Sequence, residues 1–292
     1  MKPPRFDYAA PTSLDEALEI LGREDEALPI AGGQSLVPLL NLRMARPSVV
    51  VDLNRVDGLD AIEADDARVR IGAMVRQRRL ETDVELRRRV PLLSEAARHI
   101  AHVAIRTRGT VGGSLAHAEP AAELPATAAA LDARLLVRGR DGERAVLATE
   151  FFLGPFTSAL NPGELLVGVE VDPPPQRTGA AFLEVARTHG AFALTAAAAM
   201  VRIETDGRIA AARLGLAGVG SIPYVPEWLD EVVAGEAPEG PLFERVGARV
   251  REEIEPHDDI HASADYRRRV AGVLTARALG LAAQRSQQEE AT

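Results

Sequence analysis

The chain is predicted to be an α+β protein, and three features point there. Stretches rich in β-branched residues are mixed irregularly with stretches whose apolar residues recur every three or four positions, without a strict strand–helix alternation. A run of three prolines, Pro173–Pro175, forms a semi-rigid spacer that neither helix nor sheet interior accepts, so it divides the sequence into residues 1–175 and 176–286. A length of 292 residues suffices for two domains, each with its own core.

The elements follow in order. Ser13 and Glu16 make a capping box ahead of Leu14, Ala17, Leu18 and Leu21, which predicts a helix over 13–22. "ALPIAGG" runs as a short strand into two glycines. "PSVVVDLNRV" (47–56) is β-branched and bounded by Pro47 and a turn, as a buried strand is. "ARVRIGAMV" alternates at Val69 and Ile71, the pattern of a half-exposed strand. "PLLSEAARHIAHV" (91–103) reads as one helix, "ELPATAAALDA" as another, "RLLVRG" and "ELLVGVEVD" (164–172) as strands. Beyond the prolines, "AAFLEVART" and "ALTAAAAMVRI" read as strands, and Asp206-Gly207 as the hairpin turn joining Val201–Ile203 to Ile209–Leu216. "YVPEWLDEVVAGE" and residues 262–284 are predicted helices. "GVGSIP" (218–223) is a bend after a strand. There is no solenoid-type repeat.

Composition removes several functions. A net charge of −9 argues against nucleic-acid or anionic-membrane binding. With no cysteine, the chain has no disulfide, thiolate-zinc site or cysteine-ligated cluster of its own, which fits a cytoplasmic setting. The N-terminus lacks the apolar run of a signal peptide. The apolar run near Ala193–Val201 is too short to span a bilayer. The polar tail "QRSQQEEAT" is expected to fray.

Two stretches carry paired glycines: "PIAGGQSLVPLLNLR" (29–43) and "GTVGGSLAHAEPAAELP" (109–125). A turn needs one glycine; a pair suggests a ligand close to the main chain. Backbone N–H groups in such turns can cradle an anion, and Ser35, Thr110 and Ser114 add hydroxyls. No G-x-x-x-x-G-K-[ST] and no early G-x-G-x-x-G accompanies them, so neither a P-loop nor a Rossmann site is supported. Each loop alone reads as a tight strand-to-helix turn.

Taken together, "AGGQSLVPLLNLRMARPSVVVDLNRV" (31–56) and "IRTRGTVGGSLAHAEPAAELPATAAALDA" (105–133) resemble the FAD-binding medium subunit of the molybdenum hydroxylases, the family of carbon monoxide dehydrogenase and xanthine dehydrogenase. "LGLAGVGSIPYVPEWLDEVVAG" and "ASADYRRRVAGVLTARAL" resemble that family's second domain. The resemblance implies a vanillyl-alcohol-oxidase-type (PCMH-type) FAD-binding domain of two subdomains, about 1–56 and 57–175, followed by a C-terminal α+β domain over 176–286. It implies that Ala31, Gly32, Gly33, Gln34 and Ser35 line one side of the FAD diphosphate and Thr110, Val111, Gly112, Gly113 and Ser114 the other. Glu123 matches a family aspartate that reaches toward the adenosine part, and Leu165 or Leu166 a backbone contact to the flavin ring. Three positions depart from the family: Leu28 and Glu184 stand where lysines are common, and Ala191 where an aspartate is common. A glutamate beside a reduced, anionic flavin would oppose what a lysine supports.

Other candidates have plainer readings. His99 and His102 lack a third metal ligand, and "HDDIH" (257–261) suits a helix start. His117, Ser114 and Glu119 are sequence neighbours with no scaffold to orient a triad. The arginines of 76–89 form a salt-bridged face or a partner surface. The expected function is an electron-transfer flavoprotein with no catalytic residue and no metal site of its own. A [2Fe–2S] small subunit would deliver electrons from a molybdopterin-binding large subunit, in a dimer of heterotrimers, and NAD or a quinone would accept them. The alternatives are a free-standing FAD oxidoreductase and a flavin-free assembly subunit.

Overall fold

A computed structural model describes residues 1–288. The chain begins with β1 (Asp7–Ala9), α1 (Leu14–Arg23), β2 (Leu28–Ile30), α2 (Leu36–Asn41) and β3 (Val49–Asp52), whose strands form a parallel sheet in the order β1–β3–β2. Ser13 caps α1 by accepting from the Glu16 N–H at 3.3 Å. The Glu16 carboxylate reaches back to the Thr12 N–H rather than to that of Ser13. The strand expected over 47–56 stops at Asp52. There the Asp52 carboxylate takes the Asn54 N–H at 2.9 Å and turns 53–55 into a single 3₁₀ turn.

The next stretch comprises β4 (Ile62–Ala64), β5 (Val69–Gly72), α3 (Gln77–Thr82), α4 (Val84–Arg89), α5 (Pro91–His99), α6 (Val103–Arg106), α7 (Val111–His117) and α8 (Glu123–Ala130). Then come β6 (Arg134–Gly139), β7 (Gly142–Leu147), α9 (Ala148–Phe151), β8 (Phe152–Gly154), β9 (Thr157–Ser158) and β10 (Leu165–Val171). An antiparallel sheet runs β4–β5–β10–β6–β7. Ala17, Leu18, Val51, Met74, Leu165 and Val167 pack together and join this sheet to the first.

The helix expected over 91–103 is two helices. It breaks after His99, with Ala101 at φ 39°. The freed carbonyls of Ile100 and Ala101 are taken by the buried Arg106 guanidinium at 2.6 and 2.8 Å, whose Nε donates to Glu81 at 3.0 Å. One buried cation thus satisfies the break. The arginine-rich segment forms α3 and α4, with Arg78 on Glu81, Arg79 on Asp83, and Arg88 and Arg89 sharing Glu85, so the salt-bridged reading holds.

After the prolines, β11 (Thr178–Ala186), β12 (Ala193–Ile203) and β13 (Ile209–Ala217) form an antiparallel meander. It is followed by α10 (Leu229–Val233), α11 (Gly240–Glu253) and α12 (Ala264–Gln288). Asp206-Gly207 makes the β12–β13 turn, with Gly207 at φ 81°. The helix expected over 224–236 is confined to α10, because Tyr224 pairs instead with Leu216 as an extended bridge. Far from fraying, residues 284–288 continue α12. Arg285 bonds Glu95 at 2.6 Å, and the Ser286 hydroxyl donates to the Arg177 carbonyl. The rest of the predicted frayed tail, 289–292, lies outside the described residues.

The alanine run of β12 is explained by its position. Ala180, Phe182, Ala196 and Ala198 pack with the first-domain helices, whereas Ala181, Ala197, Ala199 and Val201 pack against α11 and α12. The sheet is covered on both faces, and small side chains let helices approach closely. A Cβ on Gly179 would overlap the Ala282 carbonyl of α12, and one on Gly215 that of Ala126 in α8. Helices α11 and α12 meet the same way at Gly247 and Gly272. Gly272→Val is therefore expected to cost about 1–3 kcal/mol by overpacking, read from urea unfolding. Wild-type stability would mean that the two helices do not pack backbone to backbone.

Candidate cofactor site

A cavity of about 570 Å³ lies between the two glycine stretches, within the ~300–1,000 Å³ range of small-molecule sites. Its walls are the 31–35 loop, the starts of α7 and α8, the first residues of β10, and Gly190–Phe192 between β11 and β12.

The four glycines do different jobs. A Cβ on Gly32 would overlap the Arg108 carbonyl, and one on Gly112 would overlap Ala73, so these two are required by contacts within the chain. Gly33 sits at φ 71°, which favours glycine. Gly113 is not at positive φ. It lies in the first turn of α7, and a Cβ there would come 2.8 Å from Thr110 Oγ1, its own cap, and 3.5 Å from the Cβ of Ala31 in the opposite loop. Its missing side chain leaves room for the Thr110 cap and for the gap toward Ala31.

Polar contacts tie the loops to each other. Asn54 Nδ2 donates to the Ala31 carbonyl at 2.9 Å, and its Oδ1 accepts from Arg76 at 2.6 Å. Arg76 also donates to the Arg108 carbonyl at 2.5 Å. Beside them, residues 73–77 bond to 109–112: Val111 N–H to Val75, Gly112 N–H to Ala73, and Gln77 N–H to Gly109.

The backbone donors are consequently divided unequally. On the α7 side every N–H from Val111 to Ser114 already has an acceptor, those of Gly113 and Ser114 being Thr110 Oγ1 and Thr110 O. On the other side the N–H groups of Gly32, Gly33, Gln34 and Ser35 find no acceptor among the described residues. Gln77 Oε1, buried at the cavity wall, also lacks a hydrogen-bond partner. Orphaned donors and a buried orphan amide, bordering a largely apolar cavity, fit an extended polar ligand such as a dinucleotide.

Carboxyls stand nearby. Burial pushes Glu123, 4% exposed in the first turn of α8, up to about 7, opposed by its own backbone N–H and by Arg106. Burial, then the neighbouring Glu123, pushes Glu184 up to about 8. By contrast Arg144, hydrogen-bonded at 2.7 Å, holds Glu164 down near about 2. Burial lowers His99 and His117 below the usual imidazole range.

Of the residues singled out from sequence, Ala31, Gly32, Gly33, Gln34, Ser35, Thr110, Gly112, Gly113, Ser114, Glu123, Leu165 and Leu166 all border this cavity. Val111 does not: its side chain is 2% exposed in the core. Leu28 and Ala191 border it too, whereas Glu184 is buried against His99, outside the lining. No group of three metal-ligating side chains occurs among the described residues. His117 packs on Phe156, 5.1 Å between ring centroids. "HDDIH" precedes α12, where Asp258 accepts the Ala264 N–H and Asp259 those of His261 and Ala262. Sequence reasoning missed Asn54, Arg76, Gln77 and Phe192, since no local pattern marks a residue that bridges two distant loops.

Comparison with known proteins gives a consistent result. Residues 4–174 match the family model of the FAD binding domain in molybdopterin dehydrogenase, and residues 180–282 that of the CO dehydrogenase flavoprotein C-terminal domain. The chain is 41% identical over 287 residues to the 6-hydroxypseudooxynicotine dehydrogenase complex subunit alpha of Paenarthrobacter nicotinovorans, covering 98% of this chain and 97% of that one. A chain of quinoline 2-oxidoreductase from Pseudomonas putida 86 superposes with a TM-score of 0.93 at 39% identity, covering 97% of this chain and 99% of that one. A chain of the Hydrogenophaga pseudoflava carbon monoxide dehydrogenase that lacks the Mo-pyranopterin moiety gives 0.94 at 34% identity, covering 98% and 99%. No helix among the described residues is long and apolar enough to cross a membrane. The chain belongs to the FAD-binding medium subunits of the molybdenum hydroxylase family, and FAD is its cofactor.

Proposed function

We propose that FAD lies in the cavity between the two loops, with its diphosphate against the N–H groups of Gly32, Gly33, Gln34 and Ser35. The observation that carries this reading is that these four donors, beside an open gap, have no acceptor of their own. The opposite wall would contribute the Ser114 hydroxyl and the bare backbone of Gly113, and Leu165 and Leu166 a dry apolar surface. Phe192, 61% exposed at the lining, offers a ring face to an aromatic ligand. Bound there, FAD supplies the ability to take electrons singly and release them in pairs.

The chain's own part is to bind, orient and exclude water. In this reading a [2Fe–2S] small subunit passes electrons to it from a molybdopterin-binding large subunit, in a dimer of heterotrimers in the cytoplasm. NAD or a quinone then receives them. The absence of cysteine fits clusters carried by another chain.

Two outcomes are expected. Gly113→Val should weaken FAD binding at least tenfold by closing the gap toward Ala31, with far-UV circular dichroism close to wild type; undiminished affinity would refute the diphosphate placement. The purified single chain should not oxidise aldehydes, purines or carbon monoxide with an artificial acceptor, and turnover should appear only when both partner chains are added. Turnover proportional to FAD in the single chain would instead make it a free-standing oxidoreductase. A folded chain unable to take up FAD would make it an assembly subunit.

A further inference from the structure

Strand β11 alternates its faces. Ala181 packs with the α11–α12 core, while Ala180 and Phe182 pack with the first-domain helices. Glu184 shares the face of Phe182 and therefore points toward the first domain. Its side chain is only 7% exposed, and its Oε2 has no hydrogen-bond partner. His99 Nδ1, on α5, lies 4.0 Å from that oxygen.

The groups packed around Glu184 leave it without a compensating cation. On α5, Glu95 is held by Arg285 of α12 at 2.6 Å, Arg98 is exposed, and partial burial lowers His99 below the usual imidazole range. On β12 the residue opposite is Ala196. At α8 the charge is another carboxyl, Glu123, close enough to act on Glu184 electrostatically. Arg106 is committed to Glu81 and two carbonyls. In the β11–β12 loop, His189 stacks edgewise on His102 at 5.5 Å, and Arg187 is exposed. Two buried carboxyls that share one region without a free cation are driven to hold protons. Glu123 itself borders the cavity.

We propose that Glu123, in the wall of the cofactor cavity, and Glu184, buried behind that wall, form a proton-holding pair, with the half-exposed His99 between Glu184 and solvent, and that entry of an anionic diphosphate ligand is linked to proton uptake by this pair. The ligand linkage rests on the reading that FAD occupies the cavity. The physical reason is that an anion entering the cavity that Glu123 borders raises the cost of a charged Glu123 and, behind it, of a charged Glu184.

The sign follows from the two carboxyls lying near 7 and 8. Below that range both are protonated and the wall is neutral. As pH rises through it, charge appears and repels the ligand. FAD Kd should therefore rise about tenfold between pH 6.5 and 9, the equivalent of one pKa unit. Calorimetric titration of the flavin-stripped chain with FAD at pH 8, in two buffers of different ionisation enthalpy, should show net proton uptake. Glu184→Gln should bind FAD with less uptake and a flatter pH profile, and the double variant Glu123→Gln/Glu184→Gln with none. Wild-type binding without proton uptake and with a flat profile overturns the proposal.

Folding supplies an independent readout. An ordinary glutamate titrates near 4.3 in the unfolded chain, so the folded state binds more protons between there and about 8, and stability falls as pH rises across that window. Glu184→Gln removes this loss, so its gain in melting temperature should be larger at pH 8 than at pH 5. An equal gain at both pH values would mean that the pair is already ionised. A chain that binds no FAD at all overturns the cavity reading and the ligand linkage with it, while the melting comparison still decides whether the pair holds protons.

Discussion

The site depends on one close backbone approach, that of Gly32 to the carbonyl of Arg108. Two loops more than seventy residues apart in sequence meet there without a side chain between them. The contact is locked by the Ala31–Asn54–Arg76–Arg108 chain of hydrogen bonds and by the pairing of 73–77 with 109–112. Hydrogen bonds to a guanidinium are stronger than neutral ones, and Arg76 spends two of its donors on this bridge. Because the α7 loop satisfies its own N–H groups in making the joint, the free donors remain on the 32–35 side. The asymmetry of the cradle is thus a consequence of how it is held together.

The second constraint is the alanine-rich sheet. Covered on both faces, β11–β13 belongs at once to the core of the first domain and to that of the second. Its small side chains let α8 and α12 press against it, and this places the β11–β12 loop, with Gly190, Ala191 and Phe192, at the cavity. The second domain therefore completes the site. Glu184 occupies the seam, where both flanking layers exclude water and neither brings a free cation. A charged carboxylate there would carry a large desolvation cost, so the seam favours the protonated form.

Much of this was legible in the sequence. The helix of 14–23, the alanine strand, its Asp206-Gly207 turn and both glycine loops follow from period, capping and turn chemistry, which act over a few residues. Twelve of thirteen proposed site residues border one cavity, because the motifs hold their residues within short loops. Errors arose where a distant partner outweighed local preference. The 91–103 helix breaks because the buried Arg106 rewards free carbonyls at 100–101, and the strand at 47–56 ends early on the Asp52 side chain. Val111 faces the core because its N–H is drawn to Val75.

The amino-acid order alone determined the element types, the α+β class and the two loops that mark the family, since each depends on neighbours in the chain. Only the tertiary structure decided that Gly32 and Gly112 are required by the protein's own packing, although all four glycines border the cavity. It alone showed that four N–H groups find no acceptor on one side and that the Glu184 side chain is buried with an unpartnered oxygen. Steric overlap, hydrogen-bond satisfaction and desolvation are set by what lies across space, and at these positions that is chain dozens of residues away.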